Sequence, residues 1–350
     1  MTHLWVRAEQ RANEERVGLT PEGVRALIDK GLRVTVEDSS VRAIAIDGYR
    51  EAGAEIAEEN SWPEAPRDAI VFGLKELPED GTPLGHRHIM FGHAYKGQPA
   101  GQELLKRFKA GGGTLYDLEY LIAENGRRVA AFGYWAGFAG AAVSVKTWLA
   151  QAHGALCGPV GVYAGRDALV DELKSELAAV SGRPDVIVIG ALGRVGTGAS
   201  DLCTELGLGV TKWDMAETAS GGPFPEVLEH EIFLNCILAN EGCPVFVPAS
   251  AKTAARRLSV IGDIACDPTS DFSPIKVYDR TTSWAAPALR VASDPVLDVT
   301  AIDNLPSMLP VESSIDYAGQ LLPSLLTLTD IDAGVWARAK AFFDTHSARV

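Results

Sequence analysis

The stretch Asp185-Val186-Ile187-Val188-Ile189-Gly190-Ala191-Leu192-Gly193-Arg194-Val195-Gly196 decides the fold. Four consecutive apolar residues with two β-branched types read as a strand buried on both faces, which belongs to a parallel sheet. Three glycines then punctuate a turn into a helix. A side chain at such a turn would block a pyrophosphate, and the free N–H groups of the helix start would receive it. Trp213-Asp214 ends the following strand, where an acid can hydrogen-bond the ribose hydroxyls and repel a 2′-phosphate. The expectation is therefore a dinucleotide site that prefers NAD over NADP. The pattern is G-x-x-G-x-x-G, with Leu192 where the usual fingerprint has its middle glycine, so the flanking strand, helix and acid carry the reading. Gly190, Gly193 and Gly196 would form the cradle. Arg194 either lies over the cofactor or is a solvated arginine at a helix start. Thr218 either assists the adenosine end or belongs to a surface loop.

Outward from this unit the same alternation recurs. Strands are expected over Leu4–Ala8, Leu32–Val36, Ala69–Leu74 and His88–Phe91, and near Val186, Val210, Ile232, Phe246 and Val260. Helices are expected after Thr20-Pro21 (Thr as N-cap, Pro at the first helical position), over Ala100–Lys109, Phe132–His153, Asp167–Val180 and Val335–His346. Strands alternating with helices specify an α/β fold with parallel sheets. The chain has 350 residues, too many for one ordinary core, so two domains are expected.

Composition narrows the function. Apolar residues make up 47% and charged residues 22%, with net charge −14, as in a soluble globular protein. No block of Lys or Arg could track a phosphate backbone, which argues against nucleic acid. The uncharged run Val129–Val145 is broken by Gly133, Gly137 and Gly140. It is shorter than the roughly 20 residues of a membrane span and reads as a buried interdomain helix packed closely on a neighbour. The N-terminal Met1–Arg7 reads as a first strand rather than a signal peptide. Five scattered cysteines with no Cys-x-x-Cys make a metal site unexpected and fit a reduced, cytoplasmic chain. No nucleophile elbow or Walker pattern is present, so neither a hydrolase nor a phosphoryl-transfer enzyme has support.

Two residues can move protons. Lys75 leaves the apolar run Val71-Phe72-Gly73-Leu74, and burial there would lower its pKa and make it a usable base; otherwise it is a surface lysine in a turn. His93 follows Ile89-Met90-Phe91-Gly92 and suits acid/base work near neutrality, or is a satisfied core histidine. Arg16, Lys96, Arg127 and Arg128 fall at loop positions of the same lobe and would suit a substrate with several carboxylates, or are ordinary surface charge.

Glu15-Arg16-Val17-Gly18-Leu19-Thr20-Pro21 and Gly73-Leu74-Lys75-Glu76 resemble the alanine dehydrogenase and transhydrogenase superfamily. His93-Ala94-Tyr95-Lys96, Gly126-Arg127-Arg128, Gly190-Ala191-Leu192-Gly193-Arg194, Lys212-Trp213-Asp214, Gly221-Gly222-Pro223-Phe224 and Leu305-Pro306-Ser307-Met308 are similar to the lysine-forming saccharopine dehydrogenases, and the resemblance runs from Leu4 to Val350. It implies two Rossmann-like parallel-sheet domains with an interdomain active-site cleft: 1–131 plus 312–350 as the catalytic domain, to which the C-terminal helices return, and 132–311 as the NAD-binding domain. It implies NAD-dependent cleavage of saccharopine to lysine and 2-oxoglutarate. Lys75 would deprotonate the secondary amine and His93 would serve in imine hydrolysis. Arg16, Lys96, Glu119, Arg128, Phe132, Ala265, Cys266, Asp267, Ile302, Asp303, Asn304 and Leu305 would meet substrate. Gly193, Arg194, Asp214, Thr218, Leu238 and Ile264 would meet NAD.

This chain departs from the family pattern in places. Val195 replaces a cysteine that in fungal members pairs with the counterpart of Cys236, which leaves Cys236 a free thiol. Leu238 replaces an aromatic residue, and Ala265-Cys266-Asp267 replaces Ser-Ala-Asp. A related opine-type dehydrogenase, joining a 2-oxo acid to another amine, is the alternative function. An NAD-sensing protein without turnover is a third, against which Lys75 and His93 stand. The sequence leaves the oligomeric state open and admits a monomer.

Overall fold

The computed structural model describes residues 1–11 and 13–350. The chain divides into two compact units: Met1–Ala131 with Pro310–Val350, and Phe132–Leu309.

The first unit carries β1 (His3–Val6), α1 (Pro21–Asp29), β2 (Arg33–Glu37), α2 (Ile46–Glu51), β3 (Glu55–Ala57), β4 (Ile70–Phe72), β5 (Arg87–Met90), α3 (Pro99–Gly111) and β6 (Thr114–Asp117). Its six strands are ordered β3-β2-β1-β4-β5-β6, every pair parallel. This order reverses direction between β1 and β4, and the crevice beyond the carboxyl ends of those strands is where open α/β sheets bind ligands. Local signals set the helix boundaries. Thr20 Oγ1 accepts the Gly23 N–H at 3.3 Å with Pro21 at the first helical position, and Gly112 closes α3 in the left-handed region.

The second unit carries α4 (Gly133–Ala152), α5 (Arg166–Ala178), β7 (Val186–Ile189), α6 (Arg194–Glu205), β8 (Val210–Trp213), α7 (Met215–Thr218), α8 (Pro225–Leu228), β9 (Ile232–Asn235), β10 (Val260–Asp263), β11 (Leu289–Ser293) and β12 (Val296–Thr300). The strand order is β11-β12-β10-β9-β7-β8, parallel except for the β11–β12 pair. The four residues of β7 are all buried. The chain then returns to the first unit through α9 (Pro310–Leu325) and α10 (Gly334–Ser347). There Trp336 is fully buried against Tyr116 of β6, and Val17 donates its N–H to Ser314 Oγ at 2.9 Å.

The uncharged run is a helix only from Gly133. It packs inside the second unit on α6: a Cβ at Gly137 would stand 1.8 Å from the Val195 carbonyl oxygen, and one at Gly198 1.9 Å from that of Tyr134. The small residues are there because two backbones touch. No helix of the described residues is long and apolar enough to cross a membrane. One expected strand is absent. The segment at Phe246 is irregular, with a single bridge from Val247 to Ile275, and Phe246 is buried by packing on Phe224 and Phe233. Its apolar run reflects burial rather than strand pairing. The hairpin β11–β12, the short β3 and β6 were not legible in the sequence.

Candidate active site

Lys75 stands in the loop beyond β4, held by its backbone. Glu9, from the loop beyond β1, accepts the Leu74 N–H at 2.6 Å and the Lys75 N–H at 2.9 Å. The fully buried Arg7 donates to the Lys75 carbonyl and, at 3.0 Å, to that of Ala8. Gly73 is bare because this guanidinium needs the space: a Cβ there would lie 2.4 Å from Arg7 Cζ. Burial, then the positive charge of Arg16, lowers the Lys75 pKa below 10.5, and Glu14 opposes them. This is the environment of a lysine that works as a base.

Arg16 is itself buried, with a side chain 2% exposed, and grips Glu14 in a fork: Nε to Oε1 at 2.7 Å and Nη2 to Oε2 at 2.6 Å. Burial pushes the Glu14 carboxyl upward, yet the Arg16 hydrogen bonds and charge outweigh it and the net direction is down. The fork is thus engaged with Glu14, and Arg16 reaches Lys75 through its field.

His93 occupies the left-handed region, φ +48°, beyond β5. Its Nε2 lies 3.2 Å from Glu76 and its Nδ1 3.4 Å from Glu119. Glu119, beyond β6, also takes Lys96 Nζ at 2.9 Å. Contact with Glu119 raises the His93 pKa against the opposing effect of burial. His93 first and Lys96 next hold Glu119 down at about 2, although burial alone would raise it. Lys96 is raised by the same contact and lowered by the charge of Arg128. Both arginines are exposed; the charge of Arg128 also acts on the buried Tyr317, while the Arg127 backbone N–H donates to Asn125 Oδ1 at 3.1 Å. Arg128 is therefore the member of the pair whose charge enters this cluster. The carboxyl ends of β1, β4, β5 and β6 thus bring Arg16, Lys75, His93, Lys96, Glu119 and Arg128 to one edge of one sheet. Arg7 and Glu9 were not legible as site residues because they act on a loop distant in sequence, and Glu14 and Asp117 because their local partners gain a role only once the strands are paired.

The second unit uses the same strand edge differently. The three glycines of the turn serve three purposes. Gly190 has φ +88°, and a Cβ there would stand 2.5 Å from the Ile237 side chain. At Gly196 a Cβ would lie 2.1 Å from the Gly190 carbonyl, so this glycine lets α6 close on the strand. Gly193 is exposed, and its Cβ would meet only the Gly190 carbonyl, at 3.4 Å. The packing of the protein itself does not need Gly193 bare. Leu192 points outward, 82% exposed. Asp214 accepts the Leu192 N–H at 3.0 Å through Oδ2 and the Met215 N–H at 2.9 Å through Oδ1. It thereby ties the glycine turn to the end of β8. Exposed Arg194 begins α6, and the Thr218 hydroxyl donates to the Asp214 carbonyl at 3.0 Å. This bare turn, helix start and strand-end acid fit a dinucleotide.

The remaining expected residues follow neighbouring strands of the same unit. Leu238 is 76% exposed beyond β9. Ile264 to Asp267 follow β10, with Ile264 N–H donating to the Asn235 carbonyl at 3.1 Å. Cys266 has φ +55° and its Sγ lies 3.1 Å from the Ala301 carbonyl. Burial first, then the charge of Asp303, pushes its thiol up to about 12. Ile302 to Leu305 follow β12, with Ile302 and Leu305 buried and Asn304 Nδ2 donating to Ser307 Oγ at 2.7 Å. Phe132 is the N-cap of α4 and belongs to this unit. Cys236 and the other four cysteines are free thiols.

Comparison with known proteins bears on this arrangement. Residues 5–139 match the family model described as alanine dehydrogenase/PNT, N-terminal domain. The chain is 46% identical to the saccharopine dehydrogenase [NAD(+), L-lysine-forming] of Yarrowia lipolytica, over 99% of this chain and 98% of that one. It is 44% identical to the protein of that name from Schizosaccharomyces pombe, over 98% of each. Among solved structures, an L-alanine dehydrogenase superposes with TM-score 0.70 at 19% identity, covering 98% of this chain and 94% of the other. A transhydrogenase from Sinorhizobium meliloti gives 0.65 at 17% identity, covering 94% and 95%. At such low identity these two structures speak for the fold. Identity above 40% along nearly the whole chain goes further, and the chain belongs to the saccharopine dehydrogenase (NAD+, L-lysine-forming) family.

Proposed function

We propose that the protein catalyses the reversible NAD-dependent cleavage of saccharopine to L-lysine and 2-oxoglutarate. The observation that carries this reading is Lys75: a half-buried lysine with a lowered pKa, its backbone fixed from both sides, beside a cluster of cations. The glycine turn, Arg194 and Asp214 would hold NAD, which when bound supplies the hydride acceptor. Neutral Lys75 accepts at Nζ the proton of the substrate's secondary amine. Loss of that proton, together with a hydride from the adjacent carbon, would leave a carbon–nitrogen double bond, to which water adds. His93 moves protons between that water and the departing amine, with Glu119 and Glu76 supporting its charged form. Lys96 and Arg128 attract the substrate carboxylates, and Arg16 contributes chiefly by keeping Lys75 deprotonated more readily. Phe132 and the segments Ala265–Asp267 and Ile302–Leu305 would complete the substrate contacts, and Leu238 and Ile264 those of the nicotinamide side. Five unpaired thiols support a cytoplasmic setting.

The test is NADH oxidation by purified protein with 2-oxoglutarate and a panel of amines. Turnover with lysine, and little with other amines, is the expected result. Turnover only with another amine would move the enzyme to the opine-type alternative.

A further inference from the structure

Asp117 ends β6 with no surface exposed. One carboxyl oxygen, Oδ1, accepts the Glu119 N–H at 2.9 Å. The other, Oδ2, makes no hydrogen bond of full geometry among the described residues, although the nearby Gly92 backbone N–H lowers the pKa of the carboxyl. It lies 3.3 Å from where a Cβ on Gly92 would stand. A buried, unused carboxylate oxygen is costly unless the group can take a proton or face a cation. Here the next residue after Gly92 is His93, set in its left-handed conformation. The same carboxyl thus borders both backbones that carry the His93–Glu119 pair.

We propose that Asp117 is a positioning residue for the reaction: it fixes Glu119 against His93 and Lys96, and its charge sets how tightly His93 holds a proton. The proposal rests on the reading of His93 as the acid/base group. His93 is faced by Glu76 from the loop beyond β4 and by Asp117 and Glu119 from the end of β6, and Lys96 of its own segment meets the same Glu119. Asp117 is faced by His93 and Glu119, and by the phenols of Tyr95, Tyr120 and Tyr317. With Asp117 protonated, His93 meets two carboxylates, Glu76 and Glu119; with it ionised, His93 meets three. Burial pushes Asp117 up to about 6, and the His93 pKa is raised from 6.5. The charge of each acts on the other: Asp117 favours protonated His93, and His93 favours ionised Asp117.

The experiment is NMR titration of His93 in the full-length protein, assigned with His93→Gln, together with the pH profile of kcat/KM, in wild type and Asp117→Asn. Asparagine retains an acceptor for the Glu119 N–H and removes the charge. The His93 midpoint should fall by about one pH unit, and the corresponding limb of the profile should move with it. A midpoint that falls while the profile stays fixed supports the Asp117 role and removes His93 from the acid/base step. A midpoint and profile that both superpose on wild type overturn the proposal. Asp117→Ala also removes the acceptor and should raise KM for the amine severalfold above that of Asp117→Asn. If it fails to fold, Asp117→Asn alone decides.

Discussion

The two sheets present the same structural edge with opposite chemistry. In the first unit the carboxyl ends of the strands carry charge at close quarters: Lys75, His93, Lys96, Glu119, Glu76 and the buried pair Arg16–Glu14. In the second unit the corresponding edge at β7 carries fewer charges, Arg194 and Asp214, and it offers bare backbone at the exposed Gly193 and the start of α6. One edge tunes protons and the other leaves space. A parallel sheet supplies both because its strand ends gather residues from distant parts of the chain on a rigid frame. What differs is whether side chains or their absence fill the crevice.

The sharpest way to break the charged half is Lys75→Met. It should lower kcat by roughly 10²–10⁴-fold and leave NADH affinity within a factor of two or so by fluorescence titration. An unchanged rate would remove Lys75 from the mechanism. For the bare half the cleanest probe is Gly193→Ala. Its Cβ meets little of the protein, so stability should change by about 1 kcal/mol or less, while NADH affinity should drop on the order of tenfold. Gly196→Ala is the contrast: with its Cβ 2.1 Å from the Gly190 carbonyl, it should cost about 1–3 kcal/mol in denaturant melts. Equal losses of stability in the two variants would show that Gly193 serves the fold, not the ligand.

A smaller effect is expected from Asp214→Asn. The amide retains an acceptor for the Leu192 or Met215 N–H and loses the charge, so the preference for NAD over NADP should narrow by about tenfold. An unmoved ratio of kcat/KM values would take Asp214 off the ribose.

The smallest effect concerns stability against pH. His88 on β5 is 1% exposed, packed edge-on against Trp62 and Phe108. Burial keeps its pKa well below 6.5 in the fold, whereas in the unfolded chain it takes a proton near 6.5. Stability is therefore full above about pH 7 and declines as pH falls below 6.5, by up to about 1.4 kcal/mol per pH unit. Asp117 opposes this: its folded pKa of about 6 exceeds its ordinary 3.8, so its contribution is present at low pH and lost as pH rises through 6. His88→Phe should flatten the acid decline in urea melts at pH 5.5 and 7.5. A slope unchanged by the substitution would place the acid sensitivity elsewhere.

The bare edge was more legible in the sequence than the charged one, for a physical reason. Strand, glycine turn and helix start lie within Val186–Gly196, so the residue pattern that marks them can be read in one short stretch. His93, Glu119 and Asp117 meet only after two strands have paired. The sequence marked His93 as a proton carrier but could not show which carboxylates face it. The Arg7–Glu9 grip on Lys75 was hidden for the same reason, since it links loops beyond β1 and β4. Apolar runs misled where burial came without pairing, as at Phe246. The hairpin β11–β12 escaped because its strands are half-polar and joined through Asp294-Pro295.

The second unit is an insertion within the first, entered at Phe132 and left at Leu309. A ribosome therefore makes every residue of the inserted unit before it makes α9 and α10. Domains generally fold as units as the chain emerges, so the inserted unit can close while the first still lacks the helix whose Trp336 covers β6. During that interval Tyr116 of β6 lacks the ring that covers it in the finished fold. The order of birth and the order of completion run in opposite directions along this chain.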